Sequence, residues 1–498
     1  MNFTSEAFFY FLPIVFIVYW FLHINYKWQN IILLVSSYVF YGWWDYRFLF
    51  LIFILTAINY IAAIRIHECQ SASTRKTYMI TPVVASLSIL IFFKYFNFFI
   101  ESFQELSNIF GIKLGFIELH IILPVGISFY TFQSLSYTID VYRKQMNPER
   151  SFLTFATYIS FFPQLVAGPI ERASILLPQI SRPRIFDTES MRYGLRMIFW
   201  GFFKKLMISD KLAPYVDNVY GNPGYYSAES MAIAALFFMV QIYCDFSGYS
   251  DIACGTSRLF GVNLSINFNF PYFAISSKEF WHRWHISLST WFRDYVYIPI
   301  GGNHVSPLRQ ARNILAVFML SGLWHGANYT FIIWGVIHGV YYLIHYWIEI
   351  MIRHYRLMKN FNLEERIIGK ILLPISKIFQ YIITLTVVYC GFIFFRSENV
   401  LQGVDITRSI FAKTNFFVLF DEALQQQLSF GQIYHVNAFI WLCVFFAIEA
   451  VICFYSELFS NMKLPAPVSW SLYMFVSFVL IVTIFETNNS QAFLYFQF

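Results

Sequence analysis

Apolar segments long enough to cross a lipid bilayer recur along the whole chain of 498 residues. A transmembrane helix needs about 20 mostly apolar residues. Only 12% of the residues are charged, whereas soluble domains carry about 25%. We therefore predict an all-α polytopic membrane protein with about eleven transmembrane helices, accompanied by short surface helices. The candidate spans are 7–22, 30–44, 48–66, 79–99, 119–141, 231–243, 313–324, 329–348, 372–395, 438–455 and 470–485.

The charged residues between these segments predict how the chain is oriented. Two loops are basic and one loop between them is acidic. The basic loops contain Arg65, Arg75, Lys76, Arg143, Lys144 and Arg150, and the acidic loop contains Glu101, Glu105 and Glu118 against Lys113. Because cytoplasmic loops carry an excess of Lys and Arg, we expect the N-terminus and the C-terminus outside the cytoplasm. The first apolar segment lacks the basic flank and the cleavage site of a signal peptide, so we expect it to remain as a span.

The middle of the chain is less regular. SFFPQLVAGPIER places Pro163 and Pro169 within an apolar run, and proline breaks a straight helix. Irregular backbone at membrane depth is tolerated where it is buried in protein or lines a cavity, so we expect a re-entrant or cavity-lining segment. Residues 191–212 mix five cations with apolar residues. They predict a helix on the cytoplasmic interface, with a short span whose lysines reach the surface as the alternative.

One integral membrane domain, 1–498, accounts for this pattern, since no internal repeat or low-complexity segment interrupts it. Residues 1–150 supply the N-terminal spans, 151–328 the re-entrant and catalytic core, and 329–498 the C-terminal spans with an aromatic tail. Within the core, Asp245 and Asp251 follow a span in QIYCDFSGYSDIACG. They either line a polar vestibule or cap a helix at the interface.

His325 is the first candidate for chemistry. It follows the apolar segment 313–324, which as a helix of about 12 residues rises roughly 18 Å. His325 is then expected near the middle of a hydrocarbon core about 30 Å thick. An ionisable group at that depth is by default a functional hypothesis. The structural alternative is a neutral imidazole hydrogen-bonded to another helix. This alternative suits His338 and His345, which lie in the next span. It suits His325 less well, because the residues that follow it, Gly326-Ala327-Asn328, are small and polar.

WHRWH places His282 and His285 three residues apart, on one face if the segment is helical. Glu279 and His282 form half of a di-iron motif, but the sequence holds no second copy, so we expect no metal. One of these histidines could act as an acid–base partner of His325, because imidazole titrates near operating pH. The alternative is an interfacial tryptophan belt in which the histidines are hydrogen-bonding fillers.

Several classes of function lose support from what the sequence lacks. No phosphate-binding loop, dinucleotide-binding motif, zinc-protease motif or serine-hydrolase motif is present. The six cysteines form no CxxC pair and are expected to be small buried residues. The net charge of +6 fits cytoplasmic loops and anionic lipid headgroups, and we expect no nucleic-acid partner.

Four long motifs, in order along the chain, resemble the membrane-bound O-acyltransferase superfamily, in particular its bacterial alginate O-acetyltransferase branch. They are FFPQLVAGPIER, YCDFSGYSDIACG, EFWHRWHISLSTWFRDYVYIPIGGN and LSGLWHGANYTFIIWG. The likeness extends from SSYVFYGWW near the N-terminus to the final six residues. Relatives in that branch O-acetylate peptidoglycan and other envelope polysaccharides or transfer D-alanine to teichoic acids.

The resemblance implies a ring of helices around a central tunnel that joins both faces of a bacterial inner membrane. The family's histidine falls on His325, and its second characteristic position falls on His285. Relatives often carry another residue at the position of His282. The resemblance further implies a cytoplasmic thioester, acetyl-CoA, as the acyl donor substrate and no bound cofactor.

Three cations near these motifs could hold the phosphates of the donor: Lys278, Arg283 and Arg293. The positive-inside rule explains them equally well. The tail FLYFQF resembles the C-terminal aromatic motif of the small membrane peptide that partners the D-alanine branch. Tyr495 has the only hydroxyl in this tail. It is either an acyl carrier that hands acetyl to a partner on the outer face or part of an aromatic plug.

These observations predict a membrane O-acetyltransferase that moves acetyl from acetyl-CoA across the membrane to an extracytoplasmic polysaccharide, either an alginate-like exopolysaccharide or peptidoglycan. Because the chain has no sizeable external domain, we expect a periplasmic or membrane-anchored esterase-like acetyltransferase as its partner. The rival is a transporter or flippase whose mid-membrane histidines relay protons. Inverted repeats would favour the rival, and none is visible.

Overall fold

The computed structural model describes residues 1–22, 25–112, 119, 121–358, 363–430, 434–454 and 493–494. These residues are mostly α-helical, as predicted. They form two compact units. The first consists of residues 1–202 and 248–266, and the second of residues 203–247 together with the described residues from Asn267 to Leu494. The prediction of a single domain, 1–498, stays a prediction.

The first unit begins with four long apolar helices and continues with shorter ones. Side-chain caps start several of them: Asn25, Ser71 and Ser151 each accept a backbone N–H from the first turn of the helix that follows. Up to residue 202 its helices are α1 (Glu6–Phe21), α2 (Tyr26–Asp45), α3 (Leu49–Glu68), α4 (Ala72–Ile109), α5 (Ile127–Tyr142), α6 (Phe152–Ser160), α7 (Phe162–Leu165), α8 (Ala173–Ile180) and α9 (Thr188–Phe202).

Helix α5 lies in the core of the first unit, because almost every one of its side chains is buried. Its polar groups bond to neighbouring helices, as buried polar groups must. Thr138 Oγ1 donates to Asn59 Oδ1 of α3 over 2.7 Å, and Gln133 Nε2 donates to the Tyr158 carbonyl of α6 over 2.7 Å. These bonds fix α3 and α6 around α5.

The predicted interruption at SFFPQLVAGPIER is confirmed. Helix α6 ends at Ser160, α7 is a single turn that starts beside Pro163, and regular helix resumes only at Ala173. The stretch is buried up to Glu171, and Arg172 is half-buried. The carboxylate of Glu171 accepts the backbone N–H and the hydroxyl of Ser265, which ties the irregular segment to the second part of the first unit. Its depth in a membrane stays a prediction.

The second unit carries the longest motifs. It starts with a π-helical segment, Phe203–Ser209, and a second π-helical turn covers Arg293–Tyr297. Its other elements are α10 (Asp210–Gly221), the part of α11 (Ala228–Leu259) before Gly248, α12 (Ser277–Arg283), α13 (Ile286–Phe292), α14 (Pro307–His325), α15 (Tyr329–Met358), α16 (Leu363–Arg396), α17 (Val400–Lys413), α18 (Phe416–Gln425), β1 (Gln427–Phe430), β2 (Tyr434–Asn437) and α19 (Ala438–Phe454).

The expected interfacial helix at 191–212 differs from the structure in one respect. Lys204 and Lys205 were expected on a water-facing side, but both are buried. The helix changes to π geometry at Phe203. Lys205 then finds two carboxylates, with its Nζ 2.8 Å from Asp210 Oδ1 and 2.6 Å from Asp245 Oδ1. A buried ammonium needs such partners.

Asp245 and Asp251 lie inside α11, so the expectation that they cap a helix is wrong. The expected span 119–141 also differs, because helix begins only at Ile127. Pro124 cannot donate a backbone hydrogen bond, and Gly126 adopts a left-handed conformation with φ 74°.

A further difference is the antiparallel hairpin β1–β2, in which Leu428 pairs with Val436. It lies in a loop that the all-α prediction left without strands.

Among the described residues, five segments are long and apolar enough to cross a membrane: Tyr26–Glu68, Ala72–Ile109, Ala228–Leu259, Tyr329–Ile352 and Ile375–Arg396. Glu6–Phe21 and Ala438–Phe454 are shorter apolar helices. The total of about eleven spans therefore stays a prediction, as does the tunnel. The expected span 470–485 lies outside the described residues.

Candidate active site

His325 is the last residue of α14. The helix ends there because Gly326 is extended, with φ −160° and ψ 153°. A Cβ atom at position 326 would overlap the ring of Phe331 on α15, so the close return of the chain requires glycine. The His325 side chain is buried, with 3% of the residue exposed.

His285 occupies the junction between α12 and α13, in a left-handed conformation with φ 43°. It does not share a helix face with His282, because α12 ends at Arg283; the one-face expectation is wrong. Asn267 holds the residues that follow the junction. Its carbonyl accepts the Ile286 N–H over 2.9 Å, and its Oδ1 accepts the Ser287 hydroxyl over 2.9 Å.

The two histidines predicted as catalytic lie together. Their ring centroids are 6.0 Å apart, and both residues are buried. The centroid of the Trp324 ring lies 5.7 Å from that of His285 and 5.1 Å from that of His325. Phe246 contacts His285 from another side, at 4.7 Å between ring centroids. These aromatic rings pack around the two imidazoles, which is consistent with the small exposed fraction of both histidines.

A cavity of about 490 Å³ lies beside this pair in the second unit. Its walls include Gln310 and Ser321 of α14, whose separation along the helix corresponds to about 16 Å. Ser321 lies one helical turn before His325, on the same helix face. Trp281, also in the wall, contacts Trp334, and the Trp334 ring centroid lies 5.1 Å from that of His325. The cavity therefore extends along α14 toward the histidines, and its volume is in the usual range for ligand pockets.

The structure brings two of the three predicted donor-binding cations to this cavity. Lys278 and Arg293 line it, and so does His282. Arg283 does not; its guanidinium pairs with Glu279 Oε1 over 2.7 Å. Glu349 is the acidic residue in the wall. The wall thus contains two permanent cations and one carboxylate, and Arg293 Nε also pairs with Asp294 Oδ1 over 2.7 Å.

Sequence reasoning missed two parts of the site. Asn267 lies in an apolar stretch, NFNFP, and its bonds to the residues after His285 exist only in the folded chain. Trp281 and Trp334 were expected in an interfacial belt or a span, whereas they connect the cavity wall to His325. Tyr495, the proposed acyl carrier, lies outside the described residues.

The fold and the site define a helical membrane protein with a buried pair of histidines beside a ligand-sized cavity. Residues 144–388 match the MBOAT, membrane-bound O-acyltransferase family. The chain is 39% identical over 403 residues to the probable alginate O-acetylase AlgI of Pseudomonas aeruginosa, an overlap covering 80% of this chain and 72% of that protein. It is 33% identical over 436 residues to the peptidoglycan O-acetyltransferase of Helicobacter pylori, covering 82% and 79%. It is 30% identical over 235 residues to the teichoic acid D-alanyltransferase of Bacillus subtilis, covering 43% and 57%.

The chain belongs to the membrane-bound O-acyltransferase family. It is an O-acyltransferase and a multi-pass membrane protein, and the resemblance drawn from its motifs is confirmed. This family assignment favours the acyltransferase interpretation over the rival one, a transporter or flippase.

Proposed function

We propose that this protein transfers an acetyl group from cytoplasmic acetyl-CoA across the inner membrane for the O-acetylation of an extracytoplasmic polysaccharide. The observation that carries the proposal is the buried pair of His285 and His325 near a cavity that has Lys278 and Arg293 in its wall. Coenzyme A has phosphates at one end and the thioester at the other. In this proposal Lys278 and Arg293 in the cavity wall hold the phosphates, and the thioester reaches toward the histidine pair.

In this proposal His325 acts as a general base. It takes the proton of an acceptor hydroxyl, whose oxygen attacks the thioester carbonyl carbon. The new C–O bond forms as the C–S bond breaks, and the imidazolium returns the proton to the departing sulfur of coenzyme A. His285 lies close enough to orient the acceptor or to share the proton. Aromatic rings around both imidazoles protect the intermediate from hydrolysis.

The acceptor hydroxyl is the phenol of Tyr495 in this scheme. Its pKa of about 10 in water makes a neighbouring base necessary. The resulting phenyl ester would pass acetyl to a periplasmic or membrane-anchored esterase-like acetyltransferase, which completes delivery to the glycan. The relatives from Pseudomonas aeruginosa and Helicobacter pylori carry names that specify alginate and peptidoglycan acetylation, and the acceptor here is proposed to be one of these two polysaccharide classes.

The test uses membranes that contain the full chain and coenzyme A with a labelled acetyl group. We expect label to appear in material exposed on the outer face only when the chain is present. Lys278→Ala and Arg293→Ala should each raise the KM for acetyl-CoA, by about tenfold for the loss of one charge-assisted phosphate contact. Arg283→Ala, which removes a cation outside the cavity, should leave the KM near the wild-type value. An equal rise in all three variants would show that general charge, rather than this cavity, attracts the donor.

A further inference from the structure

Helix α19 of the second unit carries one charged side chain, the carboxylate of Glu449, in a sequence that is otherwise apolar. This residue is buried, with 1% exposed. An ionisable group in an apolar helix of a membrane protein is costly and is by default a functional hypothesis. The acetyl-transfer scheme gives Glu449 no role, so its burial requires a separate reason.

One partner of Glu449 is the phenol of Tyr243 on α11, in the same unit. The Tyr243 hydroxyl donates to the carboxylate, with its oxygen 2.9 Å from Oε1 and 3.0 Å from Oε2. A hydrogen bond to a charged acceptor is stronger than one between neutral groups. The buried ammonium of Lys204 lies 5.7 Å from the centroid of the Tyr243 ring. The phenol is therefore held both at its hydroxyl and at its ring face.

The Tyr243 ring packs on Trp284, the residue that precedes His285. The two ring centroids are 6.3 Å apart. The ring of Tyr272 contacts both, at 5.1 Å from the centroid of Tyr243 and 6.1 Å from that of Trp284. The Trp284 N–H closes the end of α12 by donating to the Phe280 carbonyl over 2.8 Å. A shift of the Tyr243 ring would therefore be felt at the residue next to His285.

A second ring connects this group to the histidine itself. The Phe268 centroid lies 6.1 Å from that of Tyr243 and 5.1 Å from that of Trp284. It lies 6.3 Å from the His285 centroid, and the two rings are nearly parallel, at 17°. The left-handed backbone of His285, with φ 43°, persists only where its surroundings fix it. Tyr243 and Phe268 supply part of those surroundings.

We propose that Glu449 is a positioning residue for acetyl transfer: its carboxylate fixes the phenol of Tyr243, and the Tyr243 ring holds the Trp284–His285 junction. This inference rests on the proposed acetyl transfer and adds the contact that keeps one of its histidines in place. Neither Glu449 nor Tyr243 lines the cavity assigned to the donor. The bond between them therefore acts on the rate of transfer and not on the binding of acetyl-CoA.

Two substitutions remove the bond, one from each side. Tyr243→Phe keeps the ring and loses the hydroxyl, and Glu449→Leu keeps an apolar side chain and loses the carboxylate. We expect each to lower the kcat of acetyl transfer per folded molecule by about 10- to 100-fold, the range for one hydrogen bond to a charged group. The KM for acetyl-CoA should not change. Glu449→Gln, whose amide oxygen still accepts the phenol hydrogen, should recover most of the wild-type kcat.

Tyr389→Phe is the matched control for the loss of a phenol bond. The Tyr389 hydroxyl also ties another helix to α11, by donating to the Ala232 carbonyl over 3.0 Å. Ala232 lies about three helical turns before Tyr243. Tyr389→Phe therefore removes one bond between helices without touching the rings around His285, and its kcat should stay near the wild-type value.

Hydrogen–deuterium exchange of the segment 284–292, followed by mass spectrometry, examines the junction without any need for activity. Its backbone N–H groups should exchange faster in Tyr243→Phe and Glu449→Leu than in the wild type, because local opening becomes easier when a contact is lost. Tyr389→Phe and Glu449→Gln should exchange like the wild type. If Glu449→Leu does not insert into the membrane, Tyr243→Phe and Glu449→Gln carry both measurements.

The proposal is overturned if Tyr243→Phe keeps the wild-type kcat, if it keeps the wild-type exchange, or if Tyr389→Phe changes either quantity as much. Failure of the acetyl transfer itself has a different result. Wild-type membranes would then transfer no label from acetyl-CoA, and the exchange of segment 284–292 would still decide whether the bond between Tyr243 and Glu449 holds the His285 junction.

Discussion

At the scale of single residues, the candidate site contains two buried imidazoles surrounded by aromatic rings. His285 holds a left-handed conformation, which costs on the order of 1–3 kcal/mol and persists only where surrounding structure fixes it. Asn267 supplies that constraint through the residues after His285. The hydrogen bonds of Asn267 to the residues after His285 therefore help to fix the backbone conformation of His285.

We expect His325→Ala to lower acetyl transfer by about 10²–10⁴-fold, the usual contribution of a general base. His285→Ala should be similarly severe. The measurement is transfer of label from acetyl-CoA in membranes with equal amounts of each variant. Near-normal transfer by a stably inserted His325→Ala protein would contradict the assigned role.

Two other histidines serve as comparisons for that experiment. His67 is exposed in the last turn of α3, so His67→Ala should transfer acetyl like the wild type. His338 is buried and stacks on Phe280 with 6.1 Å between ring centroids. His338→Ala should reduce the amount of folded protein, with transfer per folded molecule largely kept.

The sequence pointed to His325 because a histidine in an apolar run is unusual, and to His285 because the family's second characteristic position falls on it. It could not identify Asn267, because nothing in NFNFP distinguishes a residue that bonds across 20 positions of the chain. The prediction that His282 and His285 share one helix face is also wrong, because it depended on local spacing alone. A spacing of three indicates one helix face only if the helix continues, and the helix ends at Arg283.

At the scale of secondary structure, the contact between α14 and α15 sets the position of His325. Gly322 of α14 packs directly on the backbone of Phe331, and Gly335 of α15 packs on the backbone of Phe318. A Cβ atom at either glycine would overlap a carbonyl oxygen. Small residues at both contacts let the two helices approach closely, as is common between helices in membranes.

We expect Gly322→Ala to destabilise the protein by about 1–3 kcal/mol, the usual cost of overpacking, and to lower acetyl transfer because α14 carries His325. Thermal unfolding of the protein in detergent and the labelled acetyl assay measure the two effects. Gly221→Ala is the matched control, since a Cβ atom there would meet nothing within 4 Å. A loss of stability in Gly322→Ala equal to that in Gly221→Ala would show that α14 and α15 can separate without cost.

Most helices could be predicted because long apolar runs bounded by polar residues allow few other structures in lipid. The expected span 30–44 falls within α2, and all but the first residue of the expected span 48–66 falls within α3. Predictions failed where a local break competes with apolar composition. Pro124 and Gly126 delay the start of α5, and the buried pairing of Lys205 with Asp245 is a long-range contact that charge patterns do not reveal.

At the scale of the whole molecule, the basic residues predicted to be cytoplasmic are gathered at one end of the first unit. Arg75 Nε donates to the Ile66 carbonyl near the end of α3 over 3.2 Å, and Arg75 Nη2 donates to the Tyr142 carbonyl at the end of α5 over 3.0 Å. Arg150 pairs with Glu68 over 3.1 Å. Helix α4 starts at this end and, with 38 residues, rises about 57 Å. That length exceeds a hydrocarbon core of about 30 Å, so α4 is long enough for its other end, with Glu101 and Glu105, to reach the opposite side.

This geometry makes a topology prediction that can be measured on intact cells. In a background without the six native cysteines, Lys76→Cys, Glu105→Cys and Phe498→Cys each place one thiol on the chain. We expect a membrane-impermeant maleimide to label Glu105→Cys and Phe498→Cys in intact cells, and Lys76→Cys only after permeabilisation, because the basic end faces the cytoplasm. Labelling of Lys76→Cys in intact cells would reverse the assigned orientation. A C-terminus that is reached only from the cytoplasm would be equally decisive, because Tyr495 could then not pass acetyl to a partner on the outer face.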